Sequence, residues 1–365
     1  MNKNAKSVVI NGNISIPWCD KAPSLFLDRT TLIYGGSNTG KTTIIEDLMM
    51  IVKPYIPTIL VIAPKSTAER FYRTKVPSIC IKDVSYINKE RLEKIWKRQV
   101  DSTEVYDVAN DLKNLENLFN KCNDDVSTLL KNAMIQRSYN NILDIEKDSK
   151  KDEGEKSALK NNIKNILDDN LIKLYKKIIS NNKESLLRHD LSRIEKIVLK
   201  FLYFNPKMLI IFDDCSEYFP VWMKLFGKDN NIFLSMFFKN RWNHLTLKIA
   251  CHDEKLLSTE LRKNVHVSIF TSSQALMSSV NKAQSGFSSG EKKNASLIAE
   301  KVFGDDGDNI KKHRKVCYLK DANPNFQYMI ADRHGSFTIG CNALNKLSDR
   351  IPSNSTNTLN NNNLL

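Results

Sequence analysis

The feature that most constrains this 365-residue chain is the stretch GGSNTGKT at 35–42. It satisfies the pattern G-x-x-x-x-G-K-[ST], in which Gly35 and Gly40 are the fixed glycines. An apolar run, TLIY, precedes the stretch, and an amphipathic segment, TTIIEDLMMIVK, overlaps its end and continues beyond it. A strand, a glycine-rich loop and a helix in this order are typical of a phosphate-binding loop, so the stretch predicts a nucleotide site.

Each part of this loop has an expected task. The glycines let backbone N–H groups converge on the β-phosphate, and the start of the helix adds a favourable dipole. Lys41 is expected to reach the β- and γ-phosphates, and the hydroxyl of Thr42 is expected to bind Mg²⁺. The residues predicted to bind the cofactor ATP are Gly35, Gly36, Ser37, Asn38, Thr39, Gly40, Lys41, Thr42 and Thr43.

A second stretch, KMLIIFDD at 207–214, ends an apolar run in two adjacent aspartates. P-loop NTPases hold Mg²⁺ with an acid at the end of such a strand, so Asp213 is predicted to hold the metal. The following residue in these enzymes, commonly Glu, orients and activates the attacking water. Asp214 is predicted for this role, although its side chain is one methylene shorter. Two alternatives stay open: Asp214 caps the next turn, or Glu217 activates the water.

Short β-branched and apolar runs predict seven buried strands along the chain. Helical patterns lie between the early strands, which favours an α/β protein with a mainly parallel sheet. The runs are TTLIYGG (30–36), TILVIAP (58–64), KMLIIFDD (207–214), LTLKIACHD (245–253), VHVSIFTSS (265–273), KVCYLKD (315–321) and FQYMIADR (326–333).

Residues 88–203 differ from the rest of the chain. They contain no strand-like run, are dense in charged residues and Asn, and show helical spacing, which predicts a large helical insertion. Its apolar stripe is interpreted as internal packing, with a partner-binding seam as the alternative. The stripe consists of Leu159, Ile163, Ile166, Leu171, Leu174 and Ile178. The predicted core therefore has an N-terminal part at 1–87 and a C-terminal part at 204–351. The low-complexity tail at 352–365 is predicted to be disordered.

Composition indicates which kinds of partner and which cellular compartment to expect for this protein. The net charge of +14 fits a polyanionic partner, although a Lys-, Asn- and Ile-rich composition also raises charge without a nucleic-acid site. No apolar run is long enough to span a membrane, and the first twenty residues lack a signal-peptide pattern, so a soluble protein is expected. The seven scattered cysteines imply neither a disulfide framework nor a zinc module.

Several branches of P-loop proteins are disfavoured. No NKxD guanine-reading motif is present, and the sequence after Asp213 is too short for a second helicase lobe. The stretch GFSSGEKKNAS (286–296) resembles the signature loop of ABC-type ATPases but follows the aspartates instead of preceding them. Ser288 and Glu291 instead predict a capping box that opens an ordinary helix.

The segment after the aspartates, at 237–273, contains further candidates for catalysis. His252 follows a predicted strand, where a polar side chain can sense the γ-phosphate or the attacking water. Arg241 or Arg262 could reach the nucleotide of a neighbouring subunit as an arginine finger. A surface charge is the alternative for each arginine.

The order of these elements resembles the DNA-packaging ATPases of nucleocytoplasmic large DNA viruses, the poxvirus-type branch of the FtsK–HerA superfamily. The elements are the phosphate loop, TILVIAPKS, a helical region, LIIFDDC, NRWNHLTLKIACHD and ELRKNVHVSIFTSS. The resemblance covers roughly 25–75 and 205–335, and the block at 237–273 discriminates most. Two features depart from the family: His252 stands where Gln is usual, and Arg241 precedes Trp242 where Arg-His is usual.

The resemblance implies a RecA-like α/β core and a homo-oligomeric ring that moves double-stranded DNA into a capsid by ATP hydrolysis. It also implies Lys41, Asp213, Asp214, Arg241 and His252 as catalytic residues, and Thr42 with Asp213 as Mg²⁺ ligands. Capsid or membrane proteins of a virion are further implied partners, and host cytoplasm and virion are the implied locations. Two other hypotheses stay open: a nucleotide-controlled switch that docks a protein partner, and a nucleotide or nucleoside kinase.

Overall fold

The computed structural model describes residues 7–10, 14–67, 71–122, 124–148, 151–226, 231–252, 257–282, 287–303 and 314–350. The predicted tail at 352–365 lies outside these residues. The strands are β1 Ser7–Ile10, β2 Ile14–Pro17, β3 Thr30–Tyr34, β4 Thr58–Ile62, β5 Ile81–Lys82, β6 Met208–Asp213, β7 Leu245–Cys251, β8 Val267–Phe270, β9 Arg314–Leu319 and β10 Phe326–Ile330.

The helices alternate with the early strands and fill the middle of the chain. They are α1 Lys41–Val52, α2 Lys65–Thr67, α3 Lys89–Asn110, α4 Leu112–Asn120, α5 Asp125–Lys147, α6 Glu153–Asn181, α7 Lys183–Leu186, α8 Arg193–Phe201, α9 Phe219–Lys224, α10 Ile232–Phe238, α11 Thr259–Lys263, α12 Ser273–Asn281, α13 Ser289–Phe303 and α14 Asn342–Arg350.

Eight strands form one sheet in the order β10-β9-β8-β3-β7-β6-β4-β5. The six strands from β8 to β5 are parallel, whereas β9 and β10 add an antiparallel hairpin at one side. The strand that precedes the phosphate loop, β3, is separated from the strand that ends in Asp213, β6, by β7 alone. This is the strand arrangement of a RecA-like P-loop core, and it confirms the predicted fold class.

The central strands are buried because helices cover both faces of the sheet. Every residue of β3, β6 and β7 is buried, as expected for strands of a parallel sheet that is covered on both sides. Alternate residues enter two separate apolar clusters: Phe212 and Ile249 belong to one, and Ile211 and Ala250 to the other. Both faces of each strand are therefore covered, which explains why most residues of these runs are apolar and do not alternate with polar ones.

All seven predicted strands are present. Sequence reasoning missed β1, β2 and β5, because two of them form a separate two-stranded sheet and the third is two residues long. The predicted capping box is also confirmed: Ser288 N donates to Glu291 Oε2 at 2.7 Å, and Glu291 N donates to Ser288 Oγ at 3.2 Å.

The chain divides into two compact units, Met1–Val100 with Pro206–Leu365, and Asp101–Asn205. The second unit is helical and has its own core, built from residues of α4, α6 and α8 such as Leu115, Tyr175 and Val198. The predicted stripe packs internally in its second half, where Leu171, Leu174 and Ile178 are buried. In its first half, Leu159 and Ile166 are exposed.

Candidate nucleotide site

The phosphate loop leaves β3 and enters α1 at the carboxyl edge of the parallel strands. A side chain on Gly35 would clash, because its Cβ would lie 1.7 Å from the Thr271 hydroxyl and 2.5 Å from that of Thr39. Gly40 has φ +90°, a left-handed conformation that favours glycine. The two fixed glycines are therefore required for different reasons, one for close packing and one for backbone conformation.

Lys41 folds back over its own loop. Its Nζ donates hydrogen bonds to the carbonyls of Gly35 at 2.8 Å and Gly36 at 2.9 Å, and lies 3.1 Å from Nδ1 of His252. The residue is only 7% exposed. Burial lowers the pKa of Lys41, while the nearby carboxylates of Asp214 and Asp213 oppose this change. The ammonium is thus held at the loop, on the same side as both acids.

Asp213 ends β6 as a buried acid that is 2% exposed. Its Oδ2 accepts a hydrogen bond of 2.8 Å from the hydroxyl of Tyr72, which is itself buried. Burial, with the adjacent charge of Asp214, raises the pKa of Asp213 to about 6. A group whose ionised form is disfavoured in this way gains from a cation placed beside it.

Asp214 leaves the strand with φ +52° and lies beside His252. Nε2 of His252 is 2.8 Å from Oδ1 of Asp214. The two groups are close, but they are not aligned as a hydrogen bond. The short 3₁₀ helix that follows, Ser216–Tyr218, has Cys215 at its N-cap and no side-chain capping bond, so Asp214 does not cap it. The exposed Glu217 lies in that short helix and is not among the residues lining the cavity described below.

These groups line one open cavity of about 940 Å³. The predicted residues that line it are Ser37, Asn38, Thr39, Gly40, Lys41, Thr42, Thr43, Asp213, Asp214 and His252. Gly35 and Gly36 belong to the loop but contribute their carbonyls to Lys41. The volume is large enough for a nucleotide, since ligand sites commonly measure about 300–1,000 Å³.

The oxygen groups at this cavity suit Mg²⁺. The hydroxyl-bearing Thr42 is exposed and the carboxyl group of Asp213 lines the same space. Mg²⁺ is usually held by one or two carboxylates together with substrate phosphates, not by a full cage of protein ligands. The described part of the chain contains no group of three or more His, Cys, Asp or Glu residues that could hold a metal ion.

Six further residues line the cavity and were missed by sequence reasoning: Thr67, Phe71, Thr271, Lys315, Ala331 and Arg333. Thr271 follows β8, and its hydroxyl lies 2.6 Å from that of Thr39. Lys315 comes from the antiparallel hairpin and Arg333 follows it; the first and last residues of the hairpin lie at the edge of the sheet that holds the phosphate loop. The polar end of the predicted run at 265–273 was the available signal for Thr271, but no motif marks the other five.

The two arginines chosen from sequence lie elsewhere. Arg241 is exposed and comes before β7, whereas His252 follows it, so the seven-residue strand separates them by about 20 Å. Arg262 is in α11, before β8, and donates to the Thr259 hydroxyl at 3.1 Å. Both therefore lie toward the edge opposite the phosphate loop, and neither lines the cavity of its own chain.

Comparison with known proteins identifies viral relatives. The chain is 30% identical over 346 residues to the uncharacterized protein B354L of African swine fever virus, from isolates Pig/Kenya/KEN-50/1950 and Tick/Malawi/Lil 20-1/1983. The match covers 89% of this chain and 88% of each relative. No family model matches the chain. Among the described helices, none is long and apolar enough to cross a membrane.

Solved structures give weaker similarities. The conjugation coupling protein TcpA of pCW3, in a monomer form with ATPγS, has a TM-score of 0.36 and 12% identity, over 90% of this chain and 66% of that chain. The plasmid coupling protein TrwB, in complex with the GTP analogue GDPNP, has a TM-score of 0.34 and 11% identity, over 92% and 93% of the two chains. Similarity at this level transfers no function to the chain.

Proposed function

This chain belongs to the family of the African swine fever virus B354L proteins, and we propose that it is an ATP-driven motor that moves double-stranded DNA into a viral capsid. One observation carries the nucleotide part of the proposal. Lys41, Thr42, Asp213, Asp214 and His252 come from three separate segments and meet at a single cavity. A structural role alone does not account for so many charged and polar groups at one edge of an apolar sheet.

The arrangement supports hydrolysis of ATP at the γ-phosphate. The loop N–H groups and Lys41 bind the β- and γ-phosphates, so Lys41 exchanges its carbonyl partners for phosphate oxygens. Thr42 and Asp213 are the residues that would hold Mg²⁺, which supplies neutralisation of charge on the β- and γ-oxygens when bound. Asp213 is suited to this role because a cation offsets the cost of burying its charge.

Asp214 orients the attacking water in this proposal. Water attacks the γ-phosphorus, the bond to the β–γ bridging oxygen breaks, and ADP and phosphate leave. Asp214 has a left-handed backbone that turns it out of the strand, and His252 lies beside its carboxylate. Because His252 contacts both Lys41 and Asp214, it can report the presence of the γ-phosphate to the acid.

The DNA part rests on charge, family resemblance and the position of the arginines. A net charge of +14 suits a channel that neutralises DNA phosphates without sequence preference. Arg241 is exposed at the edge opposite the nucleotide cavity. If this arginine acts on ATP, the ATP belongs to a neighbouring subunit, as in the ring of identical subunits that we propose.

A nucleotide-controlled switch that docks a protein partner is the second candidate. The observation that favours it is the exposed apolar surface of α5, on which Val126 is 77% exposed and Leu129 is 70% exposed. Surfaces of this kind often bind partners. A switch of this kind should hydrolyse ATP slowly and without regard to DNA.

One experiment separates the two candidates. ATP turnover is measured with and without duplex DNA over a range of salt concentrations, while light scattering gives the mass with and without ATPγS. The motor should show DNA-stimulated turnover that falls steeply with salt, and a nucleotide-strengthened oligomer. A monomer whose turnover ignores DNA contradicts the motor and supports the switch.

A further inference from the structure

A second lysine reaches the phosphate loop from the far end of the sequence. Lys315 is the second residue of β9, and it is 3% exposed. Its Nζ donates a hydrogen bond of 2.9 Å to the carbonyl of Thr39. The same nitrogen lies 3.6 Å from the place that a Cβ on Gly40 would occupy. Lys315 also lines the nucleotide cavity.

The two lysines hold different parts of the loop. Lys41 donates to the carbonyls of Gly35 and Gly36 at the start of the loop, whereas Lys315 donates to Thr39 near its end. The loop therefore runs between two ammonium groups. Only the first of them belongs to the G-x-x-x-x-G-K-[ST] pattern.

Burying a lysine ammonium is costly, and negative charge placed close to it offsets part of that cost. Lysine is rarely buried this completely, and burial lowers the pKa of Lys315 to about 8. A polyphosphate in the cavity would bring several negative charges near the ammonium. The same charge placed on an exposed surface would be screened and would contribute little.

We propose that Lys315 is a second phosphate-binding lysine, which holds the Thr39 carbonyl and contributes its charge to the bound polyphosphate. The inference rests on nucleotide binding in the proposed function and is independent of DNA movement. It predicts that the contribution of Lys315 grows with the number of phosphates on the nucleotide. A lysine that only braces the loop would affect all nucleotides alike.

The test measures the affinities of ATPγS, ADP and AMP by calorimetry for the wild type and four variants. Lys315→Met removes the charge and the hydrogen bond, Lys315→Gln keeps a donor without charge, and Lys315→Arg keeps the charge. Lys320→Met is the matched control, because Lys320 is exposed at the other end of the same hairpin and donates to the Lys263 carbonyl.

We expect Lys315→Met and Lys315→Gln to weaken ATPγS binding by about tenfold or more, the loss of one charge-assisted contact. The loss should be smaller for ADP and smallest for AMP, while the arginine variant and the control stay within about threefold of the wild type. Equal losses for all three nucleotides, or no loss in the glutamine variant, overturn the proposal. If the methionine variant does not fold, the glutamine and arginine variants still decide the question.

The outcome is separable from that for the motor. A wild-type protein that binds ATPγS but ignores duplex DNA contradicts the motor and leaves the Lys315 test intact. A wild-type protein that binds none of the nucleotides contradicts both.

Discussion

The two edges of the central sheet differ in how deeply their charged side chains are buried. At the phosphate-loop edge, Lys41, Asp213 and Lys315 are at most 7% exposed. At the opposite edge, Arg241 is exposed and the adjacent Trp242 is 75% exposed. Burying a charged side chain is unfavourable unless an opposite charge compensates for the lost hydration. The buried charges at the phosphate-loop edge therefore suit an ionic ligand. The second edge presents an arginine and an aromatic ring outward, as a surface that meets another molecule would.

The strongest test of this contrast is removal of the loop lysine. We expect Lys41→Ala to abolish ATP turnover and to weaken ATPγS binding by about 100-fold, since a charge-assisted contact to phosphate is worth up to about 3 kcal/mol. Turnover is measured by phosphate release and binding by calorimetry.

Lys53→Ala is the control for this variant, because Lys53 directly follows the other end of α1. It should bind and hydrolyse ATP as the wild type does. Normal turnover in Lys41→Ala would mean that the cavity is not the site of hydrolysis.

The opposite edge is tested by complementation. If Arg241 acts on a neighbour's ATP, Arg241→Ala should lower turnover by about 1,000-fold while ATPγS binding stays unchanged. Mixing it with Asp214→Asn should restore part of the activity, since some interfaces then pair an intact arginine with an intact acid. Turnover is followed across mixing ratios.

Lys239→Ala, an exposed change on the same turn, is the control and should retain activity. The same mixing experiment with Arg262→Ala in place of Arg241→Ala shows which of the two arginines acts on the ATP of a neighbouring subunit. An absence of rescue at every ratio argues that Arg241 does not act between subunits.

Parts of this contrast were predictable and parts were not. The phosphate loop and the Asp213–Asp214 pair are contiguous in sequence and end buried strands, so local pattern was sufficient to find them. The helical character of the middle of the chain was equally local. The position of Arg241 was predictable too, because a residue that precedes a parallel strand lies at the edge opposite the carboxyl ends of the strands.

Lys315, Tyr72 and Arg333 could not be found in this way. Lys315 lies 276 positions from its partner Thr39, and its role depends on an antiparallel hairpin added beside β8. Tyr72 lies 141 positions from Asp213 and occurs in a polar stretch, RFYRTK, with no recognisable motif. Such contacts depend on strand order, which a single sequence did not determine.

A separate expected effect concerns stability at the phosphate-loop edge. Burial raises the pKa of Asp213 from its ordinary 3.8 to about 6, so its ionised form destabilises the nucleotide-free fold at pH 7. Each unit of difference between the two pKa values corresponds to about 1.4 kcal/mol in the free energy of unfolding. The Asp213→Asn variant should therefore be more stable than the wild type by up to about 3 kcal/mol.

The sign also fixes the pH dependence. Below about pH 4 the carboxyl group is protonated in the folded and in the unfolded protein. The stability advantage of Asp213→Asn should therefore shrink as the pH falls from 6 toward 4. Urea unfolding of the nucleotide-free proteins measures it. Asp321→Asn, an exposed change, should stay within about 0.5 kcal/mol of the wild type. If the Asp213→Asn protein is less stable than the wild type at pH 7, the ionised Asp213 does not destabilise the nucleotide-free fold, which contradicts its role as a cation ligand.

The most direct test of the central claim is release of a third strand from duplex DNA. A triplex-forming oligonucleotide is annealed to a long duplex, and its displacement is followed with ATP, with ATPγS and in the Asp214→Asn variant. The account predicts displacement by the wild type with ATP alone, and none in the other two cases. ATP hydrolysis without any displacement would contradict the claim that this nucleotide site drives movement along DNA.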